Sequence, residues 1–219
     1  DMGGLGYHAT LSQDGRWIAT FTDEPERTLV LVPTGPGTPR KIPVPAFAGY
    51  DTRAELLPDG KTALLWGVQG GKPFAWYRLD LDSGATQAIT QEGANFFVYQ
   101  TILSPDAQWI EFNTPRGHFM SRTDGTDSGP VKGIDRLDAV SGWTADSKGL
   151  ILFDRNRLPA PVTRLDPITG KRTPLMTLQP SDPVGISGVQ GLQVAPDGRT
   201  YAYNVVRKQS TLYLVEGLK

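Results

Sequence analysis

The chain has 219 residues, 22 basic against 23 acidic side chains for a net charge of -1, and 38% hydrophobic residues. That is material for a large core, but it gives no global field to attract nucleic acid or an anionic membrane. No apolar run approaches the roughly 18–20 residues needed to span a bilayer. The absence of cysteine removes disulfides, thiolate catalysis and Cys-based zinc sites together.

The chain opens with Asp1-Met2-Gly3-Gly4, which has neither the basic start nor the apolar stretch of a signal peptide. A first strand is expected over Leu5–Leu11, followed by the turn Gln13-Asp14-Gly15 and a second strand at 17–21. A third strand is expected at 28–32. Residues 33–45 carry five prolines and read as a stiff edge strand and loop rather than a linker, because the pattern resumes undisturbed after them.

That pattern recurs five times. Leu11-Ser12-Gln13-Asp14-Gly15-Arg16-Trp17-Ile18 is matched by Leu56-Leu57-Pro58-Asp59-Gly60-Lys61-Thr62-Ala63 and by Leu103-Ser104-Pro105-Asp106-Ala107-Gln108-Trp109-Ile110. The last two copies are Trp143-Thr144-Ala145-Asp146-Ser147-Lys148-Gly149-Leu150 and Val194-Ala195-Pro196-Asp197-Gly198-Arg199-Thr200-Tyr201. The anchors Asp14, Asp59, Asp106, Asp146 and Asp197 are spaced by 45, 47, 40 and 51 residues, which brackets the period of a four-stranded propeller blade.

Each position of the unit has a physical reading. The apolar residue three before the Asp ends an inner strand that packs between blades. The Asp accepts backbone N–H bonds in a tight hairpin, and a following Gly supplies the positive φ that the turn needs. Third strands are expected at 28–32, 73–81, 117–123, 161–166 and 210–215, with short fourth strands at positions such as 86–90 and 173–177. The fold expected is an all-β propeller of five repeats, mostly four-stranded antiparallel blades, forming a single domain over 1–219. Counting strands leaves the last blade short of its outer strand, unless the chain is part of a larger propeller. An open blade edge of that kind invites a homodimer.

The unit Leu-Ser-Pro-Asp-Gly-Arg/Lys resembles the repeat of TolB-like propellers, which are related in architecture to WD-repeat proteins. The ending Leu212-Tyr213-Leu214-Val215-Glu216-Gly217-Leu218-Lys219 resembles the C-terminus of bacterial serine/threonine kinases that carry a sensor propeller after a membrane span. The resemblance implies a non-catalytic propeller for protein contact or ligand sensing, held outside the cytoplasm. It does not supply a ligand, because fold does not fix function. No kinase motif is present in the chain itself.

Catalytic chemistry finds little support. Thr126-Asp127-Ser128-Gly129-Pro130 is similar to a trypsin-like nucleophile segment but lacks one glycine and any histidine partner motif. Gly-x-Ser-x-Gly is absent, so the hydrolase half of prolyl oligopeptidases, whose propellers use similar repeats, is not here. His8 and His118 have no suitably spaced co-ligands. Asp80/Asp82 and Asp124/Asp127 fall at turns and match no EF-hand loop. Gly4-Leu5-Gly6 is too short for a dinucleotide fingerprint. Ser12-Gln13-Asp14-Gly15-Arg16-Trp17 has the composition but not the spacing of a sialidase Asp box. The strongest enzyme alternative is a propeller glycosidase using inner-strand acids, for which Glu55 and Asp138 are the candidates, with Asp51 and Asp135 just before them. No catalytic residue, metal or cofactor is expected.

The interaction surface is expected on the loops opposite the Asp-Gly turns. The turns are built from Gly, Pro and Asp and offer little side chain, whereas the opposite loops carry the aromatic and arginine side chains that dominate binding hot spots. Tyr50, Phe96, Phe97, Arg116, Arg155 and Arg157 are the candidates, contacting a protein or a small-molecule ligand.

Overall fold

The computed structural model describes residues 5–23, 26–72, 74–90, 101–195, 199–210, 213 and 217, leaving aside the side chains of 5–7, 48–52 and 101. Among the described residues there is no helix, and no segment long and apolar enough to cross a membrane as one. The contacts divide the chain into two compact units, Asp1–Val131 and Lys132–Lys219.

The first unit holds three blades, each a four-stranded antiparallel sheet in sequence order. Blade 1 is β1 (Leu5–Leu11), β2 (Trp17–Thr22), β3 (Thr28–Pro33) and β4 (Arg40–Pro43). Blade 2 is β5 (Phe47–Leu56), β6 (Thr62–Gln69), β7 (Ala75–Asp80) and β8 (Thr86–Ala88). Blade 3 is β9 (Thr101–Leu103), β10 (Trp109–Thr114), β11 (Gly117–Arg122) and β12 (Ser128–Pro130). The expected proline-rich edge strand is β4. The protease-like segment becomes β12, an outer strand pairing Ser128 with Ser121.

Strand β6 shows why a central blade needs apolar residues on both faces. Ala63 and Leu65 join a core with Phe21, Leu29 and Leu31 of blade 1, while Leu64 and Trp66 join a second core with Ile110 and Phe112 of blade 3. The strand is therefore a nearly continuous apolar run instead of an alternating one. Removing a fully buried leucine such as Leu64 or Leu65 leaves a cavity that costs about 2–5 kcal/mol.

The second unit holds blade 4, made of β13 (Asp138–Trp143), β14 (Leu150–Asp154), β15 (Ala160–Leu165) and β16 (Arg172–Leu178), and the two-stranded sheet β17 (Ile186–Val194) with β18 (Tyr201–Arg207). Ala139, Ile151, Phe153 and Val162 of blade 4 pack against Val189 and Leu192 of β17. The fifth repeat thus shows two strands among the described residues. Its turn at 196–198, and most of the third strand expected at 210–215, lie outside them.

One expectation needs correction. Leu56 and Trp143 are buried as the repeat predicts, but Leu11 is 59% exposed. In register it pairs with Ile18, on the face of blade 1 away from the Ala19–Phe21–Leu29–Leu31 core.

Candidate interaction surface

The Asp turns consume their own polar groups. Asp14 accepts from Ser12 Oγ at 2.6 Å and from the Arg16 amide at 3.0 Å, and the Ser12 hydroxyl accepts from the Trp17 amide at 3.0 Å. Asp106 repeats this with Ser104 Oγ (2.6 Å), the Gln108 amide (3.0 Å) and Trp109 N–H to Ser104 (2.9 Å). Asp146 accepts from Thr144 Oγ1 and the Lys148 amide, and Asp59 from the Lys61 and Thr62 amides. Hydrogen bonds from Ser12 and Thr144 hold the Asp14 and Asp146 carboxyls below the usual carboxylate range. These carboxylates are turn scaffolding, as the sequence implied. Asp197 lies outside the described residues.

The third-to-fourth-strand turns use the same chemistry. Asp80 accepts from the Asp82 and Ser83 amides and from Ser83 Oγ, and Asp124 from the Thr126 amide and Oγ1. The Thr126 hydroxyl, with the Thr126 amide and Arg122, draws Asp124 down to about 2. Among the described residues no group of three or more potential metal ligands occurs.

The loops joining second to third strands carry three of the candidate binding residues, Arg116, Arg155 and Arg157. In blade 3 the turn after β10 is tight: Arg116 N–H donates to Thr114 Oγ1 at 3.1 Å, and the Arg116 side chain is exposed. In blade 4 the Asp154 carboxylate accepts from the Asn156 amide at 2.9 Å, and Arg155 and Arg157 are both exposed. The Arg155 carbonyl accepts from the Val189 amide of β17 at 3.1 Å, so this loop is fastened to the next sheet through its backbone. Tyr50 falls within β5. Phe96 and Phe97 lie outside the described residues. Arg155 and Arg157 share one loop of the second unit; Arg116 and Tyr50 belong to the first.

Three acids bear on the enzyme alternative, two half-buried and one buried. In the second unit Asp138 is held by Arg172, which also meets Asp135 at 3.2 Å and the Gly133 carbonyl at 3.0 Å. In the first unit Glu55 sits on inner strand β5, where burial pushes its carboxyl up to about 7 against the opposing pull of Arg53. Beside it in the sheet Arg53 is level with Trp66 and Trp76, and the Arg53 Nε and both indole N–H groups are buried without a hydrogen-bond partner. Sequence reasoning missed the third acid. Glu111 is 1% exposed and lies 2.7 Å from His118 Nδ1 on the adjacent strand, with burial raising its pKa. The only sequence signal was a Glu and a His flanking a two-residue turn.

Comparison with solved structures rests on this architecture. The chain is similar to a TolB structure from Agrobacterium tumefaciens, with a TM-score of 0.58, 20% identity, and coverage of 93% of this chain and 76% of that one. For TolB of Acinetobacter baumannii the values are 0.55, 19%, 90% and 53%. For the Cps50 (Swd1) β-propeller domain of Myceliophteria thermophila they are 0.58, 14%, 94% and 64%. The fold is a TolB-like, WD40-like β-propeller. At these identities the likeness speaks for the fold alone, and this propeller spans only part of the length of each of those chains. No protein-family model and no curated sequence matches it.

Proposed function

We propose that this propeller is a non-catalytic interaction or ligand-sensing module, a single domain over 1–219, serving as the sensor part of a larger bacterial receptor such as a membrane serine/threonine kinase. The observation that carries the reading is the division of labour within the blades. Repeat carboxylates are spent on turns, while the arginines of the opposite loops stand exposed on short, backbone-fastened connections. Preorganised loops of this kind bind without a large ordering cost. The likeness to TolB and to a WD40-like domain supports interaction as the role, and the kinase assignment rests on the C-terminal resemblance alone. A free-standing TolB-like docking protein is the alternative within the same class. A homodimer through the edge of the last blade belongs to the same reading.

A glycosidase reading keeps one favourable observation, the raised pKa of Glu55, which suits a general acid. Against it, the other inner-strand candidate, Asp138, is engaged by Arg172. Screening glycoside, ester and peptide substrates is expected to give background rates; turnover abolished by Glu55→Gln would establish the enzyme instead.

The interaction reading is tested by affinity capture from the source cell with two variant sets. Tyr50→Ala, Arg116→Ala and Arg155→Ala should release the captured partner, and Lys61→Ala, Lys148→Ala and Arg199→Ala beside the Asp turns should not. Loss confined to the second set would move the functional face to the turns.

A further inference from the structure

The Asp138↔Asp154 pair closes the start of β13 against the end of β14. Residues 135–137 and 155–157 therefore leave the sheet from the same end. Three arginines gather there, Arg136, Arg155 and Arg157, all exposed, beside Leu137, which is 54% exposed. The acids that could neutralise them are committed elsewhere. Asp135 and Asp138 face Arg172, Asp138 also accepts from the Asp135 amide at 2.7 Å, and Asp154 accepts from the Asn156 amide. Arg172 thus withdraws two carboxylates from this end of the blade. Elsewhere among the described residues Arg16, Arg27, Arg40, Arg122, Arg164 and Arg207 each meet an aspartate.

We propose that this end of blade 4 is a docking surface for an acidic, leucine-bearing peptide segment of a partner protein, its carboxylates received by Arg136, Arg155 and Arg157 and its apolar side chain by Leu137. The proposal rests on the interaction reading above and specifies the partner's chemistry. Guanidinium groups take carboxylates in bidentate geometry, and such charge-assisted bonds are about twice as strong as neutral ones. Fixed backbone strengthens the case. Arg155 is pinned through its carbonyl to the Val189 amide, and Asp154 caps the turn, so the arginines are presented from a rigid base. An exposed leucine among cations gives the surface an apolar centre with a charged rim, the arrangement common to protein contacts.

The test uses the whole chain and a short fluorescent peptide of alternating Glu and Leu, with a Gln-for-Glu version as control. Fluorescence anisotropy should show binding of the acidic peptide at low salt that weakens as salt is raised, and little binding of the control. Arg155→Gln with Arg157→Gln should weaken it by about tenfold or more, the equivalent of about 1.4 kcal/mol, and Arg136→Gln or Leu137→Ser by less. Lys61→Gln with Lys148→Gln should leave it unchanged, and circular dichroism verifies that each variant is folded. Equal binding of both peptides, no binding at low salt, or loss with the lysine variants overturns the proposal. A captured partner released by the Tyr50, Arg116 and Arg155 set while the acidic peptide fails to bind would sink this inference and leave the interaction reading standing. If neither assay responds to the arginines, both fall.

Discussion

Gly188 lies so close beneath the carbonyl oxygen of Arg155 that a Cβ at position 188 would be driven into that oxygen. The same carbonyl accepts the neighbouring Val189 N–H, so one glycine sets the distance between the arginine loop of blade 4 and β17. Gly188→Ala is expected to break this contact at a cost of about 1–3 kcal/mol by overpacking. It should also weaken acidic-peptide binding while leaving Arg155 itself in place. A urea midpoint and a peptide titration on the same variant check both. Unchanged stability would show that the loop is not held there.

Ala107 and Ser147 occupy the turn position that Gly15 and Gly60 fill in blades 1 and 2. Both have positive φ, 55° and 57°, where an L side chain costs roughly 1–2 kcal/mol. Ala107→Gly and Ser147→Gly should each therefore stabilise the protein, by about 0.5–1 kcal/mol after the extra flexibility of the unfolded glycine is counted. Urea denaturation of single and double variants measures this, and a fall in the midpoint would refute it.

Ser104 links two strands through one hydroxyl, donating to Asp106 at 2.6 Å and accepting from Trp109 N–H at 2.9 Å. Ser104→Ala leaves that amide without its partner in a buried place, at an expected cost of about 1–3 kcal/mol. Asp106→Ala removes the other end of the same chain of bonds. The two costs should sum to more than the double variant loses, with a coupling of about 0.5 kcal/mol or more in a double-mutant cycle. Simple additivity would mean that the turn is held by other bonds.

Glu55 makes stability depend on pH in a direction opposite to the turn aspartates. Its carboxyl titrates at about 7 folded against 4.5 as a free side chain, so between these values the folded state holds more protons than the unfolded one. Stability from this group is complete below about 4.5 and is lost as pH rises through about 7, amounting to roughly 3 kcal/mol. Glu55→Gln should flatten that fall, making the variant more stable than the parent at pH 8 and nearly equal at pH 5. Parallel curves for the two proteins would contradict the assignment.

The repeat was legible because it is local. The spacing of Asp14, Asp59, Asp106 and Asp146 announced the blades, and Ser-x-Asp or Thr-x-Asp within each copy announced the turn bonds now seen at Ser12, Ser104 and Thr144. What the residues could not announce depends on partners distant in sequence. Arg172 reaches Asp135 and Asp138 from 37 and 34 positions away, which turned a candidate catalytic acid into an ion-paired one. Glu111 reads as a polar residue in an alternating strand until the turn at Thr114 brings His118 across to it. Leu11 fits the repeat perfectly and is nonetheless exposed, because burial belongs to the neighbouring sheet and not to the motif.

The outer strands are poor templates for one another. β8 and β12 have three residues each, β4 ends on Pro43, β12 on Pro130, and β16 is interrupted by Pro174 and a register shift between Val162 and Thr163 of its partner strand. Short length and missing amide donors blunt an edge against sheet-to-sheet polymerisation. Runaway stacking into fibres is therefore discouraged along these four blade margins. A fusion, tag or labelling site placed on those four margins would disturb no strand exchange.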